Sequence, residues 1–238
     1  GYYILKTLIE NNISLAGILI KPGRTSKFSI FFDKILYYLE SIIFGHDRIR
    51  NFKSEKQLAI SKDIKILELN TLKSKESLTL LGSLNLDLII LGGGWHELIP
   101  VDIIKLPKFG CVNTHPSLLP DFRGTSITRW QVLNRPKYTG STLHIIDENF
   151  DKGKIICQSK LLFQENQTPQ SLFNDLGMLG ATQVLKFIQY FNSHEKFPVM
   201  LEDKKNSISI FSKYYSKWDW NLNTRLIDLS LDINKIHS

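Results

Sequence analysis

The sequence Leu86-Asp-Leu-Ile-Ile-Leu91, followed at once by Gly92-Gly-Gly94, decides the fold class. A short, nearly continuous apolar run closed by glycines is typical of a central strand in a parallel sheet, because such a strand is buried on both faces. Helical and strand-like segments alternate around this run. The predicted strands are 15–20, 64–69 and 110–114, and the predicted helices are 1–12, 74–84, 100–106 and 125–134. This alternation predicts an α/β fold with a mainly parallel sheet and helices on both faces.

The two ends of the predicted domain differ from this alternation. Segments 139–147 and 155–163 resemble paired strands, and Pro169 is placed to begin a long amphipathic helix that runs to about Tyr190. At the other end, the first predicted element is a helix rather than a strand. We therefore expect a Rossmann-like domain that lacks its first strand, with Gly1 as the turn residue between that strand and its helix.

The composition describes an ordinary globular chain. The 238 residues are 42% hydrophobic and 22% charged, which excludes disorder and suits one large domain or a domain with a small appendage. No run of about 18 apolar residues predicts a membrane-spanning helix. Cys111 and Cys157 lie in apolar surroundings without zinc-type spacing, so we expect buried thiols, no metal site and a reducing, cytoplasmic compartment.

The net charge of +7 favours an anionic partner, and residues 21–60 carry much of it, with eight basic against four acidic residues. Such a partner is a phosphorylated metabolite, a nucleotide, a nucleic acid or a membrane surface. Within this segment, apolar residues from Phe28 to Phe44 recur close to every 3.6 residues and predict one or two helices. This helical insert packs on its own domain, or it docks on a membrane surface or on a second subunit as a homodimer.

The candidate site lies in Gly110-Cys-Val-Asn-Thr-His-Pro-Ser-Leu-Leu-Pro-Asp-Phe-Arg-Gly124. Asn113 and His115 are two apart on a predicted strand and so share one face, at the strand end where α/β folds bind ligands. An amide can stabilise a developing oxyanion and an imidazole can move a proton, so the pair suits acyl transfer. An isolated Asn-x-His is also compatible with a structural asparagine turn and a core histidine.

Three blocks together resemble the 10-formyltetrahydrofolate-dependent formyltransferases, which include glycinamide ribonucleotide transformylase, methionyl-tRNA formyltransferase and the nucleotide-sugar N-formyltransferases. The blocks are 110–124, the segment Thr139-Gly-Ser-Thr-Leu-His-Ile-Ile-Asp-Glu-Asn-Phe-Asp-Lys-Gly-Lys-Ile-Ile156, and the segment Asp87-Leu-Ile-Ile-Leu-Gly-Gly-Gly-Trp-His-Glu-Leu-Ile-Pro100. The resemblance covers about residues 1–200. It implies that Asn113, His115 and Asp151 are the catalytic residues, with His144 as a supporting residue.

The resemblance also implies the binding residues. The formyl donor, 10-formyltetrahydrofolate, is expected to contact the folate-pocket residues Gly94, Trp95, His96, Leu98, Ile146 and Asp147, and the acceptor is expected to contact Ser117, Arg123 and Gly124. Lys154 stands where many relatives have proline or aspartate, so the residues that contact the acceptor are left open. A catalytic domain over 1–205 and a C-terminal extension over 206–238 complete the predicted organisation.

The acceptor amine is expected to be a small anionic molecule, first a nucleotide-linked amino sugar. The 35 or so residues after the catalytic domain resemble the linker of tRNA and nucleotide-sugar members, and the barrel that methionyl-tRNA formyltransferase carries there is not in this sequence, so tRNA is a weaker expectation. Tyr215, Trp218 or Trp220 stacks on the acceptor's base or packs on the core. Glycinamide ribonucleotide is a further candidate acceptor. A folate deformylase is disfavoured, because such relatives carry a different residue directly after the catalytic histidine. A folate-binding module without turnover is disfavoured by the presence of Asn113, His115 and Asp151 together.

Overall fold

The structure is a computed structural model, and it describes residues 1–22, 55–93, 95, 97–194 and 214–215. The strands, numbered along the chain, are β1 (Ile18–Ile20), β2 (Ile66–Glu68), β3 (Ile89–Leu91), β4 (Cys111–His115), β5 (Arg123–Gly124), β6 (Tyr138–Ile145), β7 (Ile155–Leu162) and β8 (Tyr214–Tyr215). The helices are α1 (Tyr2–Glu10), α2 (Glu55–Ser61), α3 (Lys75–Gly82), α4 (Val101–Ile104), α5 (Ile127–Asn134) and α6 (Pro169–His194).

The strands form one central sheet and two smaller ones. The central sheet has the order β3-β4-β6-β7, and β1-β2 and β5-β8 are two-stranded parallel sheets. β3 and β4 are parallel, whereas β4 and β6 and then β6 and β7 are antiparallel. Three of the five pairings between described strands are therefore parallel, and segments 139–147 and 155–163 pair as the sequence predicted.

Helices cover both faces of the central sheet. On one face, α1 and α6 pack on the sheet through a buried cluster that includes Leu8, Val112, Leu143 and Phe187. On the other face, α3 and α4 pack through a second cluster that includes Leu81, Ile103 and Cys111. The predicted α/β fold with helices on both faces is confirmed. The strand expected before α1 stays a prediction.

Local sequence explains where the helices begin. Ser74 caps α3, because its hydroxyl accepts a hydrogen bond from the backbone N–H of Ser77 at 3.2 Å. Pro169 occupies the first position of α6, where its fixed φ suits the helix and its missing N–H costs nothing. No helix in the described parts of the chain is long and apolar enough to cross a membrane.

Several sequence predictions lie outside the described residues. They include the helix over 28–44 with its proposed docking role, most of the 21–60 insert, and all of the 206–238 extension except β8. The prediction of buried thiols is confirmed for Cys111, but it is wrong for Cys157, which is half-buried. Cys157 lies on β7, at the edge of the central sheet in the order of described strands, and an edge strand leaves its side chains less enclosed.

Candidate active site

β4 presents the first two candidate residues on one face of the sheet. Side chains alternate along a strand, and Val112 packs in the cluster on the α1 and α6 side whereas Cys111 packs in the cluster on the α4 side. Asn113 and His115 follow Cys111 in this alternation. They therefore lie on the α4 side, at the carboxyl end of β4, where the sequence placed them.

Asn113 is held by the residue opposite it on β6. The antiparallel register pairs Asn113 with His144, and the Nδ2 atom of Asn113 lies 3.1 Å from the Nε2 atom of His144. The other ring nitrogen of His144, Nδ1, lies 2.8 Å from the carbonyl oxygen of Ile145. Since a carbonyl only accepts, Nδ1 carries the hydrogen, and Nε2 accepts one from the Asn113 amide. One N–H of Asn113 is thereby fixed, and the other has no hydrogen-bond partner within the part of the chain that the structure describes.

The charge state of His144 agrees with this arrangement. Burial is the main cause that lowers the pKa of His144 below its ordinary value, and nearby His115 lowers it as well. The hydrogen bond to Ile145 and the carboxylates of Asp151 and Asp147 act in the opposite direction, but burial prevails. A neutral ring can accept the Asn113 hydrogen bond, whereas an imidazolium cannot. His144 thus holds the Asn113 amide, and its supporting role in catalysis stays a prediction.

His115 and Asp151 form the second pair of the site. The Nδ1 atom of His115 lies 3.4 Å from Oδ1 of Asp151, and its Nε2 atom lies 2.8 Å from the carbonyl oxygen of Phe122. Because a carbonyl oxygen only accepts, Nε2 carries the hydrogen of the bond to Phe122, and Nδ1 faces the Asp151 carboxylate. The His115 side chain is 4% exposed and that of Asp151 is 12% exposed, so solvent screens their contact little.

The backbone holds Asp151 in a defined position. Asp151 has a φ of 51°, in the left-handed region, and its Oδ2 atom accepts a hydrogen bond of 2.9 Å from the backbone N–H of Gly124. Two residues further on, a Cβ at Gly153 would overlap the carbonyl oxygen of Ile145. The turn after β6 therefore packs closely on its own strand and aims the Asp151 carboxylate at His115.

The structure brings the three predicted catalytic residues together. Asp151 contacts His115 directly, and its Oδ1 atom lies 3.8 Å from the Nε2 atom of His144, which in turn holds Asn113. The cluster combines an amide with a free N–H, an imidazole and a carboxylate. Such a set can stabilise negative charge on a carbonyl oxygen and accept a proton from an attacking group. Among the described residues, no group of three or more His, Cys, Asp or Glu side chains could hold a metal ion.

The predicted folate-pocket residues lie around the loop that follows β3. Leu98 lines a cavity of about 410 Å³ together with Ile99, Pro100, Val101, Lys73 and Glu148. Ile146 is buried, and the Asp147 carboxylate accepts a hydrogen bond from the backbone N–H of Asn149 at 2.8 Å. Trp95 is half-buried, and Gly94 and His96 lie outside the described residues. A largely apolar cavity of this size suits a flat aromatic ligand.

Glu97 anchors this loop, and it was not predicted from the sequence. Its carboxylate accepts hydrogen bonds from the Thr71 hydroxyl at 2.8 Å and from the Leu72 N–H at 3.0 Å. Burial alone would raise the pKa of Glu97, but these two hydrogen bonds and nearby Lys21 together lower it below its ordinary value. Lys21 also lies 4.7 Å from the centre of the Trp95 ring. The sequence did carry a signal for Glu97, because it is an acidic residue placed directly before the apolar residue Leu98.

The predicted acceptor residues differ in their surroundings. Ser117 is fully buried, and its hydroxyl donates to the carbonyl oxygen of Asp121 at 2.5 Å, so it stabilises the turn after β4. Arg123 is half-buried, and its Nε atom is enclosed without a hydrogen-bond partner in the described part of the chain. Gly124 donates its backbone N–H to Asp151. Contact of these three residues with an acceptor stays a prediction.

Comparison with known proteins identifies the class. Residues 41–186, more than half of the chain, match the family model described as formyl transferase. The chain belongs to the formyl transferase family, and the resemblance inferred from the sequence is confirmed.

Individual relatives agree with this assignment. Methionyl-tRNA formyltransferase of Malacoplasma penetrans (strain HF-2) is 30% identical over 221 residues, which cover 93% of this chain and 62% of the relative. The chain spans between 55% and 63% of the length of the first curated relatives that it matches.

Solved structures are similar in fold. The phosphoribosylglycinamide formyltransferase of Bacillus halodurans superimposes with a TM-score of 0.52 at 25% identity, covering 59% of this chain and 75% of that one. The N-formyltransferase of Helicobacter canadensis, in complex with folinic acid and dTDP-3-aminofucose, gives a TM-score of 0.59 at 22% identity and covers 99% of this chain and 74% of that one. At this identity the second likeness shows the fold alone.

Proposed function

We propose that this protein transfers a formyl group from 10-formyltetrahydrofolate to a primary amine, with Asn113, His115 and Asp151 as catalytic residues. The observation that carries the proposal is the contact of His115 with Asp151 at 3.4 Å, beside an Asn113 amide that His144 holds with one N–H free. Family membership supplies the donor class, and this geometry supplies the groups that the reaction needs.

Each residue has a distinct role in the proposal. The formyl donor supplies a carbonyl carbon, and negative charge develops on its oxygen as an amine adds to that carbon. The free N–H of Asn113 donates to this oxygen. Asp151 accepts the proton that the amine loses. The bond between the formyl carbon and N10 of the folate then breaks, and N10 takes up that proton as tetrahydrofolate leaves. His115 orients the Asp151 carboxylate through the contact of its Nδ1 atom with Oδ1, while its Nε2 atom donates to the Phe122 carbonyl. Direct donation from His115 to the oxygen requires its ring to leave the Phe122 carbonyl.

The donor would bind beside the loop that follows β3. Of the residues expected to meet the pteridine, Leu98 lines the cavity, together with Glu148, which follows Asp147 in the chain. The hydrogen bonds of Glu97 to Thr71 and Leu72 fix the loop that forms one wall of this cavity. The residues present therefore fit a reduced folate, and their part in catalysis is to bind and orient it.

For the acceptor, we propose a nucleotide-linked amino sugar. Phe150 and Tyr214 are 42% and 44% exposed, and their ring centres are 6.1 Å apart. Phe150 precedes Asp151, and Tyr214 pairs with Arg123 in the β5-β8 sheet. A ring surface for a base, a guanidinium for a phosphate and the proposed catalytic carboxylate thus lie together.

The sequence left two roles open for Tyr215, stacking on the base or packing on the core. Tyr215 was a candidate to stack on the base, but its side chain is buried, at 2% exposure. Successive side chains of a strand point to opposite faces, so the burial of Tyr215 turns Tyr214 outward. Tyr214 replaces Tyr215 as the proposed stacking residue. Trp218 and Trp220 lie outside the described residues.

A second acceptor, methionyl-tRNA, is favoured by a different observation. Two curated relatives that are 29% and 30% identical to this chain are methionyl-tRNA formyltransferases. A tRNA would contact many phosphates, so its turnover would fall steeply with salt. A nucleotide sugar needs few cationic contacts and would depend on salt only weakly.

A side-by-side assay separates these acceptors. The protein is incubated with 10-formyltetrahydrofolate and, in turn, dTDP- and UDP-linked amino sugars, methionyl-tRNA and glycinamide ribonucleotide, and products are identified by mass. Formylation of an amino sugar is expected, with Tyr214→Ala raising its KM about tenfold through loss of stacking. Phe173→Ala, an exposed phenylalanine on α6, is the matched control and should leave KM unchanged. Turnover of tRNA or glycinamide ribonucleotide alone would refute the sugar acceptor, and no turnover of any amine would refute formyl transfer.

A further inference from the structure

β8 carries a buried aromatic anchor beside the candidate active site. The ring of Tyr215 stacks on Phe122, with ring centres 5.3 Å apart and planes 21° apart, and it lies 5.1 Å from the ring of Trp130. With Ile127 these residues form a small buried cluster separate from the two clusters of the central sheet. A two-residue strand far along the chain is thus fixed at one defined place.

The backbone of this strand contacts the peptide that holds Asp151. β8 pairs in parallel with β5, and the carbonyl oxygen of Tyr215 accepts a hydrogen bond from the N–H of Thr125 at 2.8 Å. Gly124 has a φ of 109°, and a Cβ there would overlap the Tyr215 backbone. The N–H of the same Gly124 donates to Oδ2 of Asp151 at 2.9 Å. The position of β8 therefore sets the position of the donor to Asp151.

Tyr215 is also connected to His115, by way of Phe122, which gives a second path of contacts from β8 to the site. The carbonyl oxygen of Phe122 accepts the hydrogen bond from Nε2 of His115 at 2.8 Å, and the Phe122 ring is the one that stacks on Tyr215. Phe122 has a φ of 53°, an uncommon conformation for a phenylalanine, so the surrounding contacts must hold it there. Tyr215 supplies one of those contacts.

The two paths end at the two sides of the contact between His115 and Asp151. We propose that Tyr215 is a positioning residue. In this proposal β8, which we call the clamp, holds the His115 and Asp151 side chains at their observed separation by way of Phe122 and Gly124. This role rests on the proposed formyl transfer. In this proposal β8, which belongs to the predicted C-terminal extension, contributes to catalysis. Tyr215 itself contacts no substrate in this proposal.

Loss of the clamp should affect turnover more than donor binding. Without the ring of Tyr215, Phe122 and Gly124 can shift, and a displacement of about 1 Å at catalytic groups costs up to about 100-fold in rate. The donor cavity at Leu98 and Glu148 is formed by other segments of the chain. A residue with only a packing role would lower stability without changing kcat of the folded protein.

The experiment compares Tyr215→Ala, Tyr215→Leu and Tyr215→Phe with Phe187→Ala. Phe187 is also a buried aromatic, but it lies on α6, in the buried cluster on the sheet face opposite to that of Asn113 and His115. For each variant we would measure kcat, the Kd of 5-formyltetrahydrofolate, and the ring ¹H–¹⁵N signals of His115 by NMR. Tyr215→Leu retains bulk and keeps the test valid if the alanine variant does not fold.

The clamp predicts that Tyr215→Ala and Tyr215→Leu lower kcat about 10- to 100-fold, with Kd within about twofold and shifted His115 signals. Tyr215→Phe should restore kcat, and Phe187→Ala should keep both kcat and the signals while lowering the melting temperature. Unchanged kcat and unchanged His115 signals in Tyr215→Leu would overturn the clamp, as would equal losses in Phe187→Ala. Absence of turnover in the unmodified protein would instead refute the proposed function, and the NMR signals would still decide the clamp.

Discussion

Replacing His144 by phenylalanine tests how Asn113 is held. The change keeps a ring of similar size on β6 but removes the Nε2 acceptor, which lies 3.1 Å from the Asn113 amide nitrogen. The amide then turns more freely, and its second N–H no longer points steadily at the developing negative charge. We expect kcat to fall and the KM for the formyl donor to change little.

The size of the effect follows from the bond that is lost. A hydrogen bond of this kind contributes about 0.5–1.5 kcal/mol net, which corresponds to about 2- to 13-fold in rate if all of it serves to orient the amide. Removing the donor itself, in Asn113→Ala, should cost about 10²–10³. His144 acts only through Asn113 in this account, so the double variant should be no slower than Asn113→Ala.

A double-mutant cycle on kcat measures this coupling directly. The four proteins are the unmodified chain, His144→Phe, Asn113→Ala and the double variant, all assayed with the same donor and amine. If the two reductions in kcat instead multiply, the double variant is slower than Asn113→Ala by the same factor that His144→Phe shows alone. His144 would then act independently of Asn113. That result would refute the inferred tautomer and the orientation of the amide.

Three further predictions concern stability and reactivity. Because burial lowers the pKa of His144 in the fold, the unfolded ring binds a proton below about pH 6.5 that the folded ring does not, so the free energy of unfolding should fall as pH falls. Urea titrations at several pH values should show that the free energy of unfolding falls less with pH in His144→Phe than in the unmodified protein. An equal fall in both proteins would contradict this prediction. Burial raises the pKa of Cys111 to about 12, so a thiol reagent at pH 8 should label Cys157 first in the native protein, as read by mass spectrometry; early labelling of Cys111 would contradict its burial. Gly153→Ala should displace the turn that carries Asp151 and lower kcat about tenfold or more, whereas unchanged kinetics would show that the turn tolerates the added methyl group.

Local patterns in the sequence were sufficient for most of the fold. The apolar run ending at Leu91 and the alternation around it depend on periodicity within a few residues, and they predicted a parallel strand, which the structure contains as β3. Its predicted central position is wrong for the described strands, because β3 lies at the end of their order and is half-buried. The shared face of Asn113 and His115 followed from their spacing on one strand. The placement of Asp151 beside them came from the family resemblance, because the turn that carries it has no periodic signal.

Contacts between segments that are far apart in the chain could not be predicted from the sequence. β8 pairs with β5 over about 90 residues, and nothing in the two tyrosines indicated which of them would be buried. The sequence therefore left two roles open for Tyr215, stacking on a base or packing on the core, and the structure shows that it is buried. Ser117 was assigned to the acceptor by its motif, and only the three-dimensional turn shows that its hydroxyl bonds to Asp121.

The most direct test of the central claim is the formation of a formylated amine by the unmodified protein and by Asp151→Asn. Both are incubated with 10-formyltetrahydrofolate labelled in the formyl carbon and a dTDP-linked amino sugar, and label in the product is followed by mass spectrometry. We predict transfer by the unmodified protein and a loss of at least about 100-fold in Asp151→Asn, which keeps the side chain's shape but cannot accept the amine's proton. Equal transfer by both proteins would contradict the proposed role of the cluster at His115 and Asp151.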